Sequence, residues 1–284
     1  MGELLKGKPV ADAIAKEVKD RVQELKAKNI QPKLMIVRVG ERPDDISYEK
    51  AAIKRMQGCG IDSQVVLLPA DISQNDFIEK LKSVNNDESV HGILLFRPLP
   101  GQIDESIVKH IISPEKDIDC FNPANVAKIV EGDKTGFAPC TPRAAMEILK
   151  YYKVELKGKR AVVIGRSLVV GKPMAMLLLE EDATVTICHS KTPELSKLTS
   201  EADILVAAIG RARMIKDDFI KEGAVVIDVG INVDRDGNIC GDVDTERCRE
   251  KASLITPVPA GVGSVTTAVL AKHVLKACCL ANNI

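Results

Sequence analysis

Short apolar runs rich in β-branched residues alternate with amphipathic helical patterns along almost the whole chain. In the first half, runs at residues 33–39, 64–68 and 90–96 are separated by helical periodicity at 48–57 and 74–83. Parallel strands need a long crossover between them, usually a helix, so this alternation is typical of an α/β domain with a parallel sheet.

A second set of strand candidates follows at residues 160–164, 184–188, 204–209 and 225–229, again with helical segments between them. The alternation therefore predicts two α/β domains in succession.

The predicted join lies near a helix at residues 143–152 that precedes the second set of strands. We predict a first domain at residues 1–142, a nucleotide-binding domain at 143–265 and a C-terminal helix at 266–284 that packs back on the first domain.

Composition excludes several classes of function. Forty basic and forty acidic residues give a net charge of zero with no basic stripe, which argues against nucleic acid or an anionic membrane as partner. No apolar run approaches the roughly 20 residues of a bilayer-spanning helix, and the N-terminus has no signal-peptide core. The eight scattered cysteines read as reduced thiols and the four histidines are too dispersed for a metal site, so a cytoplasmic protein without metal is expected.

The stretch VVIGRSLVVGKP (residues 162–173) carries an apolar run into a glycine turn. Five residues separate Gly165 from Gly171 and Pro173 follows Lys172, so the P-loop spacing fails; Ser167 stands where a dinucleotide fingerprint needs its second glycine. A glycine at a strand tip followed by a helix start still suits an anion, through close backbone approach and unpaired N–H groups. An ordinary strand–turn–helix connection remains the alternative for this stretch alone.

The next strand tip, about 20 residues further on, decides which nucleotide is expected. NAD-binding domains place a carboxylate there for the ribose 2′-hydroxyl. This chain has CHSKT at residues 188–192, with a hydroxyl at Ser190, and Arg166 lies at the preceding strand tip. A guanidinium and a hydroxyl suit a 2′-phosphate, so the pattern predicts NADP rather than a merely solvated loop.

With these residues in place, the chain resembles the methylenetetrahydrofolate dehydrogenase/cyclohydrolase family over essentially its full length. The cofactor segment GRSLVVGKPMAMLLLEEDATVTICHSKT (165–192) is similar almost position for position. The other matching segments keep the family's order and spacing: VGERPDDISY (39–48), VHGILLFRPLP (90–100), PEKDIDCFNP (114–123), PCTP (139–142), DVGIN (228–232) and PVPAGVGSVTTAVL (257–270).

The resemblance implies oxidation of 5,10-methylene-tetrahydrofolate to the 5,10-methenyl compound with a nicotinamide cofactor, followed in bifunctional members by hydrolysis to 10-formyl-tetrahydrofolate. It also implies two α/β domains with the folate cleft between them, the second Rossmann-like, and a homodimer. By the same resemblance Tyr48 and Asp119 are catalytic and bind the folate together with Pro259 and Gly261. The implied cofactor-binding residues are Gly165, Arg166, Ser167, Gly171, Ser190, Gly230 and Ile231.

This sequence departs from the family at several folate-site positions. Ala52 stands where the family has its catalytic lysine, one helical turn after Tyr48, and Phe96 replaces the glutamine that tunes that lysine. Lys50 and Lys54 should point to other faces of the helix. In the loops, Ala260 and Cys120 replace glycines, and Ser-Val replaces Pro-Met at residues 264–265.

These departures affect the hydrolysis step and spare the hydride transfer. Hydride transfer is driven by the substrate's own nitrogen lone pair and needs mainly positioning, whereas hydrolysis of the methenyl cation needs proton transfer by a group of adjusted pKa. We therefore expect an NADP-linked dehydrogenase that lacks the cyclohydrolase step. The alternatives are the full bifunctional enzyme with Lys54, Arg97 or water in the lysine's place, a silent folate- or nucleotide-binding paralogue, and an NADP reductase of an unrelated substrate.

Overall fold

The computed structural model describes all 284 residues and contains eleven β-strands and ten α-helices. The strands are β1 (Glu3–Leu4), β2 (Lys33–Val39), β3 (Asp62–Leu68), β4 (Gly92–Leu95), β5 (Arg160–Ile164), β6 (Thr184–Cys188), β7 (Ile204–Ala207), β8 (Val225–Asp228), β9 (Asn232–Val233), β10 (Ile239–Cys240) and β11 (Leu254–Ile255). The helices are α1 (Gly7–Lys26), α2 (Pro43–Cys59), α3 (Gln74–Asn86), α4 (Glu105–Val108), α5 (Pro123–Glu131), α6 (Cys140–Tyr151), α7 (Gly171–Glu180), α8 (Leu195–Thr199), α9 (Thr245–Cys248) and α10 (Thr266–Ala281).

The chain forms two compact units. The six-stranded unit consists of Met1–Ala11 and Pro139–Thr266, and the three-stranded unit consists of Asp12–Ala138 and Thr267–Ile284. Most of the C-terminal helix α10 therefore packs with the three-stranded unit. The first eleven residues belong to the six-stranded unit, because β1 pairs with β11 there.

The six-stranded unit is a doubly wound parallel sheet with the strand order β1-β11-β8-β7-β5-β6. Every pairing in this sheet is parallel. The chain leaves β5 for β6 on one side and then crosses to β7 on the other, so the switch point lies between β5 and β7. Its core joins apolar residues of these strands, among them Val162, Leu205 and Val226, to those of the surrounding segments. In sheets of this kind, ligands bind beyond the carboxyl ends of the strands at the switch point.

The three-stranded unit has the parallel order β3-β2-β4. The central strand β2 is buried along almost its whole length, and Phe77 and Leu81 of α3 belong to the hydrophobic core that includes its residues. A buried ion pair, with Arg38 Nε 2.8 Å from Glu49 Oε2, ties β2 to α2. Since Glu49 follows Tyr48, this pair fixes the part of the helix that carries the predicted folate-stacking ring.

The predicted fold class is confirmed: two α/β units with parallel sheets, the second with Rossmann-like winding. The strands at residues 33–39, 160–164 and 184–188 have the predicted limits. Helix α2 begins five residues earlier than predicted, at Pro43, because a proline at the first turn needs no N–H partner and Asp44 and Asp45 favour a helix start. None of the helices combines the length and apolar character that a membrane span requires.

Candidate active site

The glycine turn after β5 is a close approach of backbone to backbone. Gly165 has a φ of 136°, and a Cβ built on it would lie 2.3 Å from the carbonyl oxygen of Ala208. A Cβ on Gly171 would lie 2.2 Å from the carbonyl oxygen of Gly165. Both positions therefore require glycine, and together they form a tight backbone turn, the glycine cradle, in front of the switch point, where sheets of this kind bind their ligands.

One expectation for this turn is wrong. We expected unpaired N–H groups at the start of α7, but Ser167 occupies them: its Oγ accepts from the N–H of Val170 at 3.1 Å and of Gly171 at 3.4 Å, and its carbonyl accepts from the N–H of Lys172. Pro173 has no N–H to offer. What α7 provides at this end is the positive pole of its dipole rather than free donors.

Arg166 and Ser190 lie at neighbouring strand ends. Ile164 of β5 pairs with Cys188 of β6, and Arg166 and Ser190 each follow two residues later. Both side chains are exposed, and the loop of Ser190 is shaped by hydrogen bonds between His189 and Thr192. These neighbouring strand ends thus carry an exposed arginine and an exposed serine, and neither residue is a carboxylate.

The loops after β8 and β11 share a cavity of about 240 Å³. It brings together four predicted site residues: Gly230 and Ile231 for the cofactor, and Pro259 and Gly261 for the substrate. Its other lining residues are Asp228, Val229, Ile239, Pro257, Val258, Ala260, Val262, Gly263 and Ser264. Ala260, which stands where the family has glycine, has an exposed side chain and a φ of 78°.

Two buried aspartates, Asp228 in the wall of this cavity and Asp242 bonded to it, were missed by the sequence analysis. Asp228 ends β8 and accepts hydrogen bonds from the N–H groups of Gly230, Asp242 and Val243. Burial, and to a lesser extent the nearby Asp242, raises its pKa to about 7 against the lowering effect of those three donors. The short motifs DVG and GDVD carry both residues, but nothing in their spacing reveals that they meet.

In the three-stranded unit, Tyr48 is half-buried on α2, and its ring meets that of Phe96 edge to face, with centroids 6.0 Å apart. Ala52, one turn further along α2, has 0% of its surface exposed. Lys50 and Lys54 are exposed, and Lys54 lines a cavity with residues of α1 and α10, including Ala15 and Thr267. Neither lysine of α2 therefore lies at the buried position of Ala52, where we expected the family's lysine.

Arg97, named above as a possible substitute for the lysine, packs against an aromatic ring. Its guanidinium carbon lies 4.3 Å from the centre of the Phe121 ring, a cation–π geometry. Its carbonyl and that of Pro98 accept hydrogen bonds from the guanidinium of Arg42.

Asp119 is half-buried in a turn that Asp117 braces. Asp117 accepts from the N–H groups of Phe121 and Asn122 and from the side-chain amide of Asn125, each at 2.8–2.9 Å. Burial raises the pKa of Asp117, and these donors oppose the shift. Cys120, in place of the family's glycine, has a φ of 59°, so the turn keeps the backbone form that favours glycine.

Taken together, the doubly wound sheet, the glycine cradle and the loops around the cavity define a nicotinamide-nucleotide-binding α/β protein. Two family models match the chain: the catalytic domain of tetrahydrofolate dehydrogenase/cyclohydrolase at residues 5–119 and the NAD(P)-binding domain of the same family at residues 139–282. The chain belongs to the tetrahydrofolate dehydrogenase/cyclohydrolase family, which confirms the resemblance inferred from its motifs.

Individual relatives agree over the full length. A protein of Alkaliphilus oremlandii named "Bifunctional protein FolD" is 64% identical over 284 residues, all of both chains. The bifunctional FolD of Campylobacter jejuni has a similar structure, with a TM-score of 0.96, 43% identity and coverage of 100% of this chain and 99% of the other. The Trypanosoma brucei enzyme, solved with NADP and an inhibitor, has a TM-score of 0.93, 36% identity and coverage of 100% and 99%.

The positive φ at Ala260 predicts that Ala260→Gly stabilises the protein. Alanine in the left-handed region costs about 1–2 kcal/mol, and the exposed methyl group contributes little packing. Part of the gain is offset by the freer unfolded chain of glycine, which leaves about 0.5–1 kcal/mol, measurable by urea unfolding. Ala70→Gly, at an exposed turn position without positive φ, is the matched control and should lose stability. Equal losses in both variants would show that residue 260 is not strained.

The raised pKa of Asp228 predicts a pH-dependent stability. Its folded-state pKa of about 7 lies above the unfolded value near 3.9, so its stabilising contribution is complete below about pH 4 and is lost as pH rises through 7. The free energy of unfolding of the wild type, relative to Asp228→Asn, should therefore fall by about 2–3 kcal/mol between pH 5 and pH 8.

Asp203→Asn is the control for this experiment. The pKa of Asp203 is lowered, first by its hydrogen bond with Lys221, so its contribution changes only at more acidic pH and should be flat from pH 5 to pH 8. A constant difference between the wild type and Asp228→Asn over that range would contradict the assignment.

Proposed function

We propose that this protein oxidises 5,10-methylene-tetrahydrofolate to 5,10-methenyl-tetrahydrofolate with NADP. The observation that carries the proposal is the backbone cradle of Gly165 and Gly171 with Arg166 and Ser190 beside it, in a chain of this family. A silent paralogue that binds only folate would have no use for this cradle, whereas one that binds nucleotide would keep it and is separated from the enzyme only by the assay below.

The choice of NADP follows from the chemistry of the two strand ends. A 2′-phosphate offers several charged oxygens to a guanidinium and a hydroxyl, whereas a free ribose diol is best held by a carboxylate, which is missing here. The similar Trypanosoma brucei enzyme was solved in complex with NADP.

The roles of the residues in the three-stranded unit are mainly to bind and orient the substrate. Tyr48 offers an aromatic face to the flat folate rings, and Asp119 accepts hydrogen bonds from the pterin amide and amino group. The nicotinamide supplies the hydride acceptor. Because the substrate's own nitrogen expels the hydride, the protein contributes position rather than a base.

The second candidate function is the full bifunctional activity, with hydrolysis to 10-formyl-tetrahydrofolate. The name of the Alkaliphilus oremlandii relative favours it over the loss of this step. The side chains favour the loss: Ala52 is fully buried, Phe96 packs on Tyr48, and Arg97 stacks on Phe121. An arginine also stays protonated and is a poor general base.

One absorbance experiment tests the proposal. Purified protein is mixed with methylene-tetrahydrofolate and either NADP or NAD, and the methenyl band is followed through its formation and decay. We expect formation with NADP, and much less with NAD at equal concentration. No methenyl product with either cofactor would refute the proposed reaction.

Cofactor preference should depend on Arg166. Arg166→Ala removes a charge-assisted phosphate contact worth about 1.5–3 kcal/mol, so the KM for NADP should rise about tenfold to a hundredfold while that for NAD changes little. Arg160→Ala, at the other end of β5, removes only an exposed ion pair with Glu201 and should leave both values unchanged. An equal rise for both cofactors in Arg166→Ala would mean that Arg166 is structural.

For the second step, we expect the unmodified protein to leave added methenyl-tetrahydrofolate decaying at the buffer rate. General acid–base catalysis is typically worth about 10²–10⁴-fold, so its loss is plain in an absorbance trace. The pair Ala52→Lys with Phe96→Gln should restore more hydrolysis than Ala52→Lys alone, because the glutamine supplies a hydrogen-bonding partner for the buried ammonium.

The matched control for this pair is Ala51→Lys with Phe96→Gln. Ala51 is the exposed neighbour of Ala52 on α2, so the same charge is added toward solvent instead of at the buried position. Robust enzyme-dependent hydrolysis by the unmodified protein would establish the bifunctional candidate instead.

A further inference from the structure

Asp242 is a carboxylate with no exposed surface that gathers donors from two separate loops. Its Oδ2 accepts from the N–H groups of Ile209 at 2.6 Å and Gly210 at 3.1 Å. Its Oδ1 accepts from the N–H of Arg211 at 2.8 Å and from the side-chain amide of Asn232 at 2.9 Å. One side chain thus joins the loop after β7 to the loop after β8.

Asp242 is itself held in place. Its N–H donates to Asp228 at the end of β8, and its carbonyl accepts from the N–H of Ile215. A Cβ built on Gly230 would lie only 2.3 Å from the carboxyl carbon of Asp242. Gly230 must therefore be glycine because the Asp242 carboxylate lies against its backbone. This steric requirement explains why a glycine stands at this predicted cofactor-binding position, without reference to the family.

The two loops lie where a nucleotide binds in such a sheet. Residues 209–211 follow β7, which forms one side of the switch point, and β5 with the glycine cradle forms the other. Residues 230–232 follow β8 and include two of the residues that line the 240 Å³ cavity. Asp242 contacts both segments: its oxygens accept from the three N–H groups of residues 209–211 and from the side-chain amide of Asn232.

We propose that Asp242 is a positioning residue for the nucleotide site: by fixing residues 209–211 and 230–232 it sets the affinity for NADP without touching it. This inference rests on the proposed function. The positioning role requires a side chain with two accepting oxygens, because each carboxylate oxygen of Asp242 accepts hydrogen bonds from two donors. An asparagine would turn an NH₂ group toward two N–H donors and lose their hydrogen bonds.

The test measures the NADP dissociation constant, together with KM and kcat, for Asp242→Asn and for the milder Asn232→Ala. We expect Asp242→Asn to weaken NADP binding about tenfold to a hundredfold and Asn232→Ala about threefold to tenfold, since buried donors are left without acceptors. At saturating NADP, kcat should stay within about threefold, because the chemistry of the substrate is not altered. Circular dichroism at the assay temperature confirms that each variant is folded, and Asn232→Ala carries the test if Asp242→Asn does not fold.

Asp203→Asn is the control for a general loss of structure. Asp203 precedes the opposite end of β7, where it accepts from the N–H of Arg160 and pairs with Lys221, so its loss should lower stability and leave the NADP dissociation constant unchanged. Unchanged NADP affinity in both folded test variants, or an equal loss in Asp203→Asn, would overturn the positioning role alone. Failure of the wild type to bind NADP would instead refute the proposed function, and the positioning role with it.

Discussion

Parallel pairing of β5 with β6 and β7, and of β7 with β8, brings the carboxyl ends of four strands to one edge of the six-stranded sheet. The features assigned to the nucleotide depend on this arrangement. The cradle of Gly165 closes against Ala208 because β5 and β7 are neighbours, and Arg166 comes to the side of Ser190 because β5 and β6 are neighbours. Behind the edge, the buried Asp228 and Asp242 take up the N–H groups that the turning loops would otherwise leave without partners.

In the three-stranded unit, the residues at which we expect this chain to differ from the family pack against neighbouring side chains. Phe96 meets the ring of Tyr48, and Arg97 lies over Phe121 next to Cys120 in the turn of Asp119. Ala52 is fully buried, and an ammonium at this position without a polar partner would be strongly disfavoured. The proposed replacement of the family's lysine and glutamine by Ala52 and Phe96 is thus physically consistent as a pair, since a lysine kept alone at residue 52 would be a buried ammonium without its partner.

The sequence alone was sufficient to predict those helices and strands whose limits are set by neighbouring residues. The limits of β5 and β6 and the start of α7 could be predicted because glycines and charged residues bound each apolar run. Helix α1 was not predicted, although its buried Val10, Ile14, Val18 and Val22 recur at helical spacing and carried the signal.

Other features depend on contacts that local pattern does not contain. The strands β1 and β11 have two residues each: β1 exists only because it pairs with β11 across some 250 positions of the chain, and β11 pairs with β8 as well. The aspartates Asp228 and Asp242 meet only in the folded chain, and only the turn itself shows that Asp117 braces the segment that carries Asp119. The unpaired donors expected at α7 were wrong for the same reason, because the side chain of Ser167 folds back on the loop.

The most direct test of the central claim, that this edge is an NADP site, is a crystal structure of the protein with NADP bound. The account predicts the 2′-phosphate within hydrogen-bonding distance of the Arg166 guanidinium and the Ser190 hydroxyl, with the pyrophosphate against the turn at Gly165. A 2′-phosphate directed to solvent, away from both side chains, would contradict it.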